Sequence, residues 1–257
     1  MNLQHLKNPL ESILRQAGEI LLDYFNTDFT VKKKPQAGLV TDADFASEKF
    51  IKAALADLVP GAAMLAEESG QSGSSDYCWV IDPLDGTNNF AHGLPYFCVS
   101  IALTYKGVPQ IGGIYQPLLK ELFYAQKNGG ATLNGRPTKV SALPDLSEST
   151  ILVGLPYAKD EAYKNILSKL QIIGPDSYSI RHMGAAALDC AYVASGRLDA
   201  VFFANLKWWD AAAGVLLIQE AGGIATDFNG QPVDKDYRSF VAANPDLHAQ
   251  LRQILAT

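Results

Sequence analysis

Leu10, Ile13, Leu14, Ala17, Ile20, Leu21 and Tyr24 recur at intervals of three and four, the spacing that lines one face of an α-helix, so an amphipathic helix ending near Phe25 is expected. The pattern then shortens. An extended segment over 29–33 precedes a turn marked by Pro35 and Gly38, a brief strand over 39–41, and a helix over 43–58 with Asp42 as its N-cap and Pro60-Gly61 as its stop. Residues 63–66 and 78–81 are short apolar runs bounded by turn formers and predict buried strands. The serine- and glycine-rich stretch 69–76 between them predicts a mobile loop. From 97 to 125 the runs are β-branched and aromatic, broken at Lys106-Gly107 and over 116–120, which predicts an antiparallel meander. Gly129-Gly130 and Asn134-Gly135 supply further turns.

The second half alternates between the two periods. Strands are expected over 149–153, 178–181 and 200–203, and helices over 160–170, 185–194, 209–221 and 245–255, with Gly222-Gly223 capping the third of these helices. Alternation of this kind predicts layered sheets and helices, not a bundle or an all-β sandwich.

The bulk numbers fit that picture. The 257 residues are 48% hydrophobic and 19% charged, the balance of a globular protein with a large core. A net charge of -6 with scattered lysines and arginines offers no concentrated basic face, so nucleic acid is not the expected ligand. Glu11, Arg15 and Glu19 interrupt the first apolar segment and no later run approaches membrane length, which predicts a cytoplasmic protein without membrane association. Cys78, Cys98 and Cys190 lie far apart without CxxC spacing and read as packing residues in a reducing compartment.

Chemistry concentrates in the stretch WVIDPLDGTNNF, residues 79–90. Asp82 is expected to end a strand and Asp85 to begin a turn, with Pro83 stiffening the step between them, so both carboxylates project from a sheet end. Two acids held close repel each other, and a divalent cation makes the arrangement favourable; a turn with two solvated aspartates is the alternative. Gly86 permits close backbone approach, and Thr87-Asn88-Asn89 opening a helix would offer amides to a phosphate. Glu67-Glu68, Asp42 with Asp44, and Asp210 are three more acidic groups at element junctions, with capping as the competing role for Asp42 and Asp210.

Asp82-Pro-Leu-Asp85-Gly-Thr87, preceded by Glu67-Glu68-Ser69 and followed by Trp209-Asp210-Ala-Ala-Ala-Gly214, closely resembles the inositol monophosphatase family of lithium-sensitive, magnesium-dependent phosphatases. With Arg181 to Gly196 and Glu220-Ala-Gly-Gly223, the resemblance extends over nearly the whole chain. It implies an α/β five-layer αβαβα sandwich over 1–257, with an α+β half to about 145 and an α/β half from about 146, in a homodimer that hydrolyses a small phosphate monoester. It implies Glu67, Asp82, Asp85, Asp210 and the Leu84 carbonyl as ligands of two or three Mg2+, and Glu67, Thr87 and Asp44 as the catalytic group, with Glu68 in support. It implies substrate contacts at Asp85, Gly86, Thr87, Gly184, Ala185, Ala186 and Asp210. The all-oxygen ligand set suits magnesium over zinc.

The pattern departs from the family at Phe203. Many inositol-specific members carry there a glutamate that accepts hydrogen bonds from ring hydroxyls, so the preference for inositol is open while the phosphatase chemistry is not. Asn205 and Lys207 are nearby polar alternatives, Lys207 also reading as solvated. His92 reads as a surface or packing residue, with a place in the pocket as the alternative; Lys32-Lys33-Lys34 reads as a solvated face, or else brings Lys34 to the phosphate. Histidinol phosphate, fructose 1,6-bisphosphate and 3'-phosphoadenosine 5'-phosphate remain alternative substrates, and a non-catalytic regulatory or scaffolding protein is the alternative of another class. A haloacid-dehalogenase-type phosphatase fits less well, because its aspartates stand one residue apart, whereas two residues separate Asp82 and Asp85.

Overall fold

The computed structural model describes residues 3–34 and 38–256. The turn expected at Pro35 therefore lies outside the described residues. The chain opens with α1 (Lys7–Tyr24), whose buried face is Leu10, Ile13, Leu14, Ala17, Gly18 and Leu21; of the periodic set, Ile20 and Tyr24 are only partly buried. β1 (Val31–Lys34) and β2 (Gly38–Thr41) pair antiparallel and lead into α2 (Asp42–Ala56).

Asp42 is not the cap of α2. Thr41 is: its hydroxyl accepts the Ala43 N–H at 3.2 Å while Asp44 Oδ2 accepts the Thr41 N–H at 2.8 Å, a reciprocal capping box. Asp42 instead accepts the Thr30 N–H at 3.0 Å.

β3 (Ala63–Ala66), β4 (Gly70–Ser72), β5 (Tyr77–Asp85), the short α3 (Thr87–Ala91), β6 (Cys98–Tyr105), β7 (Val108–Gln116), β8 (Glu121–Gln126), β9 (Gly130–Leu133) and β10 (Arg136–Pro137) follow. The strands form one eight-stranded sheet in the order β10-β9-β8-β7-β6-β5-β3-β4. Two expectations change here. The 69–76 stretch contains β4, paired antiparallel with β3, and the strand expected over 78–81 runs on through Asp85.

β11 (Thr150–Gly154), α4 (Glu161–Asp176), β12 (Ser179–Arg181), α5 (Ala186–Ala194), β13 (Ala200–Ala204), α6 (Trp208–Glu220), β14 (Ile224–Thr226), β15 (Ser239–Ala243) and α7 (Pro245–Leu255) make up the remainder. Their strands form a second sheet, β12-β11-β13-β15-β14, in which β11 runs parallel to both β12 and β13. β14 and β15 were not expected from the sequence, and α4 continues past Leu170 into Pro175, where the missing amide falls in the last turn.

The layers follow from what each helix covers. α1 and α2 pack on one face of the large sheet; α5 and α6 pack on its other face, with α6 against β7 and β8 and α5 against β13 and β15 of the small sheet; α4 and α7 close the far side against β13 and β15. The result is the αβαβα sandwich. Apart from Asp189, Asp210 and the last two residues of α6, α5 and α6 are apolar round most of their surface, as a helix pair buried between two sheets must be, and Ala187, Ala191, Ala211, Ala212 and Ala213 keep them thin enough to fit. Gly214 is required there: a Cβ would stand 2.5 Å from the Cys190 Cβ.

Candidate active site

The site begins as an irregularity in a buried strand. The register of β5 on β6 shifts between Asp82 and Asp85, and Pro83, which has no N–H, sits in the shift. The distorted backbone is held by side chains. Ser47 Oγ of α2 donates to the Pro83 carbonyl at 2.9 Å, and Asp82 Oδ1 accepts the Leu84 N–H at 3.0 Å. Asp82 therefore projects from within the strand, where an ending was expected, and Asp85 is the strand's last residue, directly before the turn at Gly86.

Gly86 turns the chain out of β5 with φ +89°, and a Cβ there would lie 2.9 Å from the Tyr96 carbonyl oxygen and 3.1 Å from the Ala185 methyl. Only glycine meets both demands. Thr87, the first residue of α3, places its Oγ1 at 2.9 Å from the Leu84 carbonyl and 3.2 Å from Asp44 Oδ1. One hydroxyl proton serves one acceptor at a time, so Thr87 is a two-position switch between a carbonyl and a carboxylate. The same Asp44 caps α2 through its other oxygen, which ties the helix start to the site.

Three further elements deliver acids to this point. Glu67 follows β3 and is anchored by its N–H on the Ile81 carbonyl at 3.1 Å; the next amide, of Glu68, donates to Glu48 Oε2 of α2 at 2.8 Å. Asp210 stands in the first turn of α6 and accepts the Lys207 N–H at 2.6 Å. Asp85 accepts the amides of Ala186, Ala187 and Leu188 at 3.1, 2.8 and 3.3 Å, so its carboxylate occupies the N-terminus of α5. Asp82, Asp85 and Asp210 each offer one oxygen within 4.8 Å of the others.

Carboxylates gathered this closely resist ionisation. Burial, then the charges of Glu67, Asp85 and Asp210, push the Asp82 carboxyl well above the usual range, and burial with Asp85 and Glu67 does the same to Asp210. Asp85 is raised by burial to about 6, with the α5 amides of Leu188 and Ala187 pulling the other way. A bound dication would offset these shifts by favouring the ionised carboxylates, and an all-oxygen donor set suits a hard ion such as Mg2+. The residues present therefore fit such an ion.

The carboxylates open into a cavity of about 590 Å³. Glu67, Glu68, Asp82, Leu84, Asp85, Gly86, Thr87, Gly184, Ala185, Ala186 and Asp210 all line it, whereas Asp44 sits behind Thr87, fully buried. Asn205 and Lys207 reach the rim, Lys207 being exposed there. His92 does not line the cavity; it is exposed, its ring bonded to the Asn88 carbonyl at 2.7 Å. Lys32 and Lys33 are exposed, and the side chain of Lys34 lies outside the described residues.

Phe203 is also absent from the lining. Its ring is fully buried and stacks on Phe240 at 4.4 Å with an interplanar angle of 4°.

Several residues at the site had no reading from sequence. Ser47 and Glu48, three and four residues after Asp44 on α2, are buried toward the site, and polar residues at helical spacing from a candidate acid were the available signal. Asn89 donates to the Tyr96 and Met183 carbonyls at 2.8 Å each, and Tyr96 donates to the buried Asp189 at 2.7 Å, so the segment before α5 is fastened to the motif. Tyr157 and His182 line the cavity without any local signature.

Residues 2–257 match the profile of the inositol monophosphatase family. An inositol-1-monophosphatase of Synechocystis sp. is 40% identical over 229 residues, 88% of this chain and 80% of that protein. A protein of Pseudomonas aeruginosa named Nus factor SuhB is 39% identical over 94% of this chain and 92% of its own. The crystal structure of extragenic suppressor protein suhB from Bartonella henselae superposes with a TM-score of 0.94 at 36% identity, covering 98% of each chain. With its fold, its acidic cavity and these relatives in agreement, the chain belongs to the inositol monophosphatase family.

Proposed function

We propose that the protein is a magnesium-dependent phosphomonoesterase acting on a small phosphate monoester, inositol monophosphate or a related polyol or sugar phosphate. The observation that carries this reading is the convergence of Asp82, Asp85 and Asp210 within 4.8 Å beside the Thr87–Asp44 pair. Glu67, Asp82, Asp85, Asp210 and the Leu84 carbonyl would hold two or three Mg2+. Bound there, the ions supply neutralising charge for the phosphate and lower the pKa of water.

The chain's own part is the handling of protons and position. Thr87 Oγ1, 3.2 Å from Asp44 Oδ1, takes a proton from the attacking water as it passes its own to the aspartate, with Glu67 orienting that water. The first-turn amides after Gly86 meet the phosphate oxygens. Gly184, Ala185 and Ala186 present backbone to the alcohol. Asp85 supports that segment directly, since its carboxylate holds the amides of Ala186 and Ala187.

Phe203, buried against Phe240, offers no acceptor to ring hydroxyls, which leaves histidinol phosphate, fructose 1,6-bisphosphate and 3'-phosphoadenosine 5'-phosphate as competitors to inositol 1-phosphate. Phosphate release from these four in Mg2+, with and without Li+, tests the reading. Turnover of one or more, inhibited by lithium, is expected; silence on all four contradicts it. By the same family reading the protein is a cytoplasmic homodimer, which sedimentation of the purified protein checks at twice the 27.7 kDa chain mass.

The relatives named Nus factor favour a second reading, a binding role carried on the same fold. A cellular phenotype of gene deletion that is restored by Asp85→Asn supports it, and one restored only by active protein opposes it.

A further inference from the structure

Part of the cavity wall has no carboxylate of the acidic centre. It is built where the parallel strands β12, β11 and β13 end, by His182, by the 155–158 segment and by Asn205 to Lys207 respectively. Carboxyl ends of neighbouring parallel strands are where α/β proteins hold ligands. Phe203, one residue before the end of β13, points into the core, so recognition of the alcohol falls to other side chains of this wall.

Tyr157 is the one with a hydroxyl left over. Its side chain lines the cavity and is 53% exposed, and among the described residues no group hydrogen-bonds to that hydroxyl. A phenol keeps its proton at neutral pH and burial raises its pKa further, so the hydroxyl is a donor. The ring is also seated. A Cβ on Gly38, at φ +91° in β2, would stand 2.9 Å from Tyr157 Cζ, 3.0 Å from Cε2 and 3.3 Å from the hydroxyl oxygen. Gly38 is thus the floor on which the ring lies, and Pro156 restricts the backbone just before it.

We propose that Tyr157 determines specificity by donating a hydrogen bond from its hydroxyl to an oxygen on the alcohol portion of the ester, with Gly38 setting the position of the ring. The ligand class is an alcohol phosphate with a second oxygen near the ester carbon, as in polyols and sugars; a bare alkyl phosphate lacks the acceptor. This rests on the phosphomonoesterase reading above. Its distinguishing feature is that the phosphate itself is handled elsewhere, by the acidic centre and the Gly86–Thr87 turn.

The test compares Tyr157→Phe with wild type on the polyol or sugar phosphate turned over best and on ethyl phosphate. A neutral hydrogen bond lost from a bound complex lowers kcat/KM about 3- to 10-fold, here through KM, while ethyl phosphate changes less than about twofold. Gly38→Ala, which displaces the ring and also strains the backbone at φ +91°, lowers the same ratio in the Tyr157 protein and costs less in a Tyr157→Ala background, with circular dichroism confirming that each variant folds. Equal loss on both esters places the hydroxyl on the phosphate and overturns the proposal, as does no loss on either. A wild type inactive on every ester overturns the phosphatase reading itself, and the proposal with it.

Discussion

The cavity has two sides of opposite character. On one, Asp82, Asp85, Thr87 and Asp44 are at most 8% exposed; Asp82 is held by the Leu84 amide of its own strand, and each of the other three by groups from two elements. On the other, Tyr157, His182 and Lys207 stand exposed after strand ends, and the phenol is unbonded among the described residues. The first side is over-determined because repelling carboxylates hold their places only if surrounding amides and hydroxyls fix them. The second is free to change without disturbing the first. On the reading proposed above, reaction and recognition would be carried by different parts of the fold, and the following expectations probe that division.

The largest effect belongs to the acidic side. Asp85→Asn keeps an oxygen for the α5 amides but removes a charge from the dication site, so kcat should fall on the order of 1000-fold or more. The melting temperature in chelator should hold or rise, because one of several repelling charges is gone. A variant with near-normal turnover would separate Asp85 from the chemistry.

Next comes Phe203→Glu, the substitution that would restore the family's usual acceptor. Here it places a carboxylate in the stack on Phe240, and denaturant melts should show a loss of about 3–5 kcal/mol with no gain for inositol 1-phosphate. A stable variant with improved inositol 1-phosphate turnover would show that residue 203 can reach the cavity.

Thr87→Ala removes the hydroxyl proposed to relay the proton and leaves the carboxylates in place. Steady-state kinetics should give a drop of about 100-fold in kcat with KM little altered. A change confined to KM would make Thr87 a binding residue only.

The smallest effect is on the pH dependence of stability. Burial lifts Asp85 from 3.8 to about 6, and Asp82 and Asp210 shift the same way, so the folded metal-free chain holds protons more tightly than the unfolded one. That contribution is complete below the unfolded value near 4 and is lost as pH rises through about 6. In chelator, the melting temperature of wild type relative to Asp85→Asn should therefore decline between about pH 4 and pH 7, and Mg2+ should flatten the curve. A constant difference would mean that the carboxyls titrate normally.

Sequence made the acidic side legible and the other side not. Asp82, Asp85 and Thr87 lie in one contiguous motif, and Glu67 and Asp210 each follow or open a clear apolar run, so local pattern placed them at element junctions. Asp42 was misread because Thr41 and Asp42 are both good caps, and the choice was made by Asp44 reaching back to the Thr41 amide. The interruption of β5 was hidden as well: a proline after a strand reads as an ending, whereas the strand continues beyond it through Asp85, with Ser47 holding the Pro83 carbonyl. Tyr157 gave no signal at all, since its meaning depends on Gly38, more than a hundred residues away in sequence and in contact only through the fold.

The central claim is that the clustered carboxylates serve phosphate ester hydrolysis through a bound dication. Phosphate release from inositol 1-phosphate, fructose 1,6-bisphosphate, histidinol phosphate and 3'-phosphoadenosine 5'-phosphate, followed as Mg2+ is titrated into metal-free wild type and Asp85→Asn, tests it most directly. Turnover that rises from zero with Mg2+ in the wild type and stays near zero in the variant is expected. Turnover of equal rate in chelator, or equal in both proteins, would contradict it.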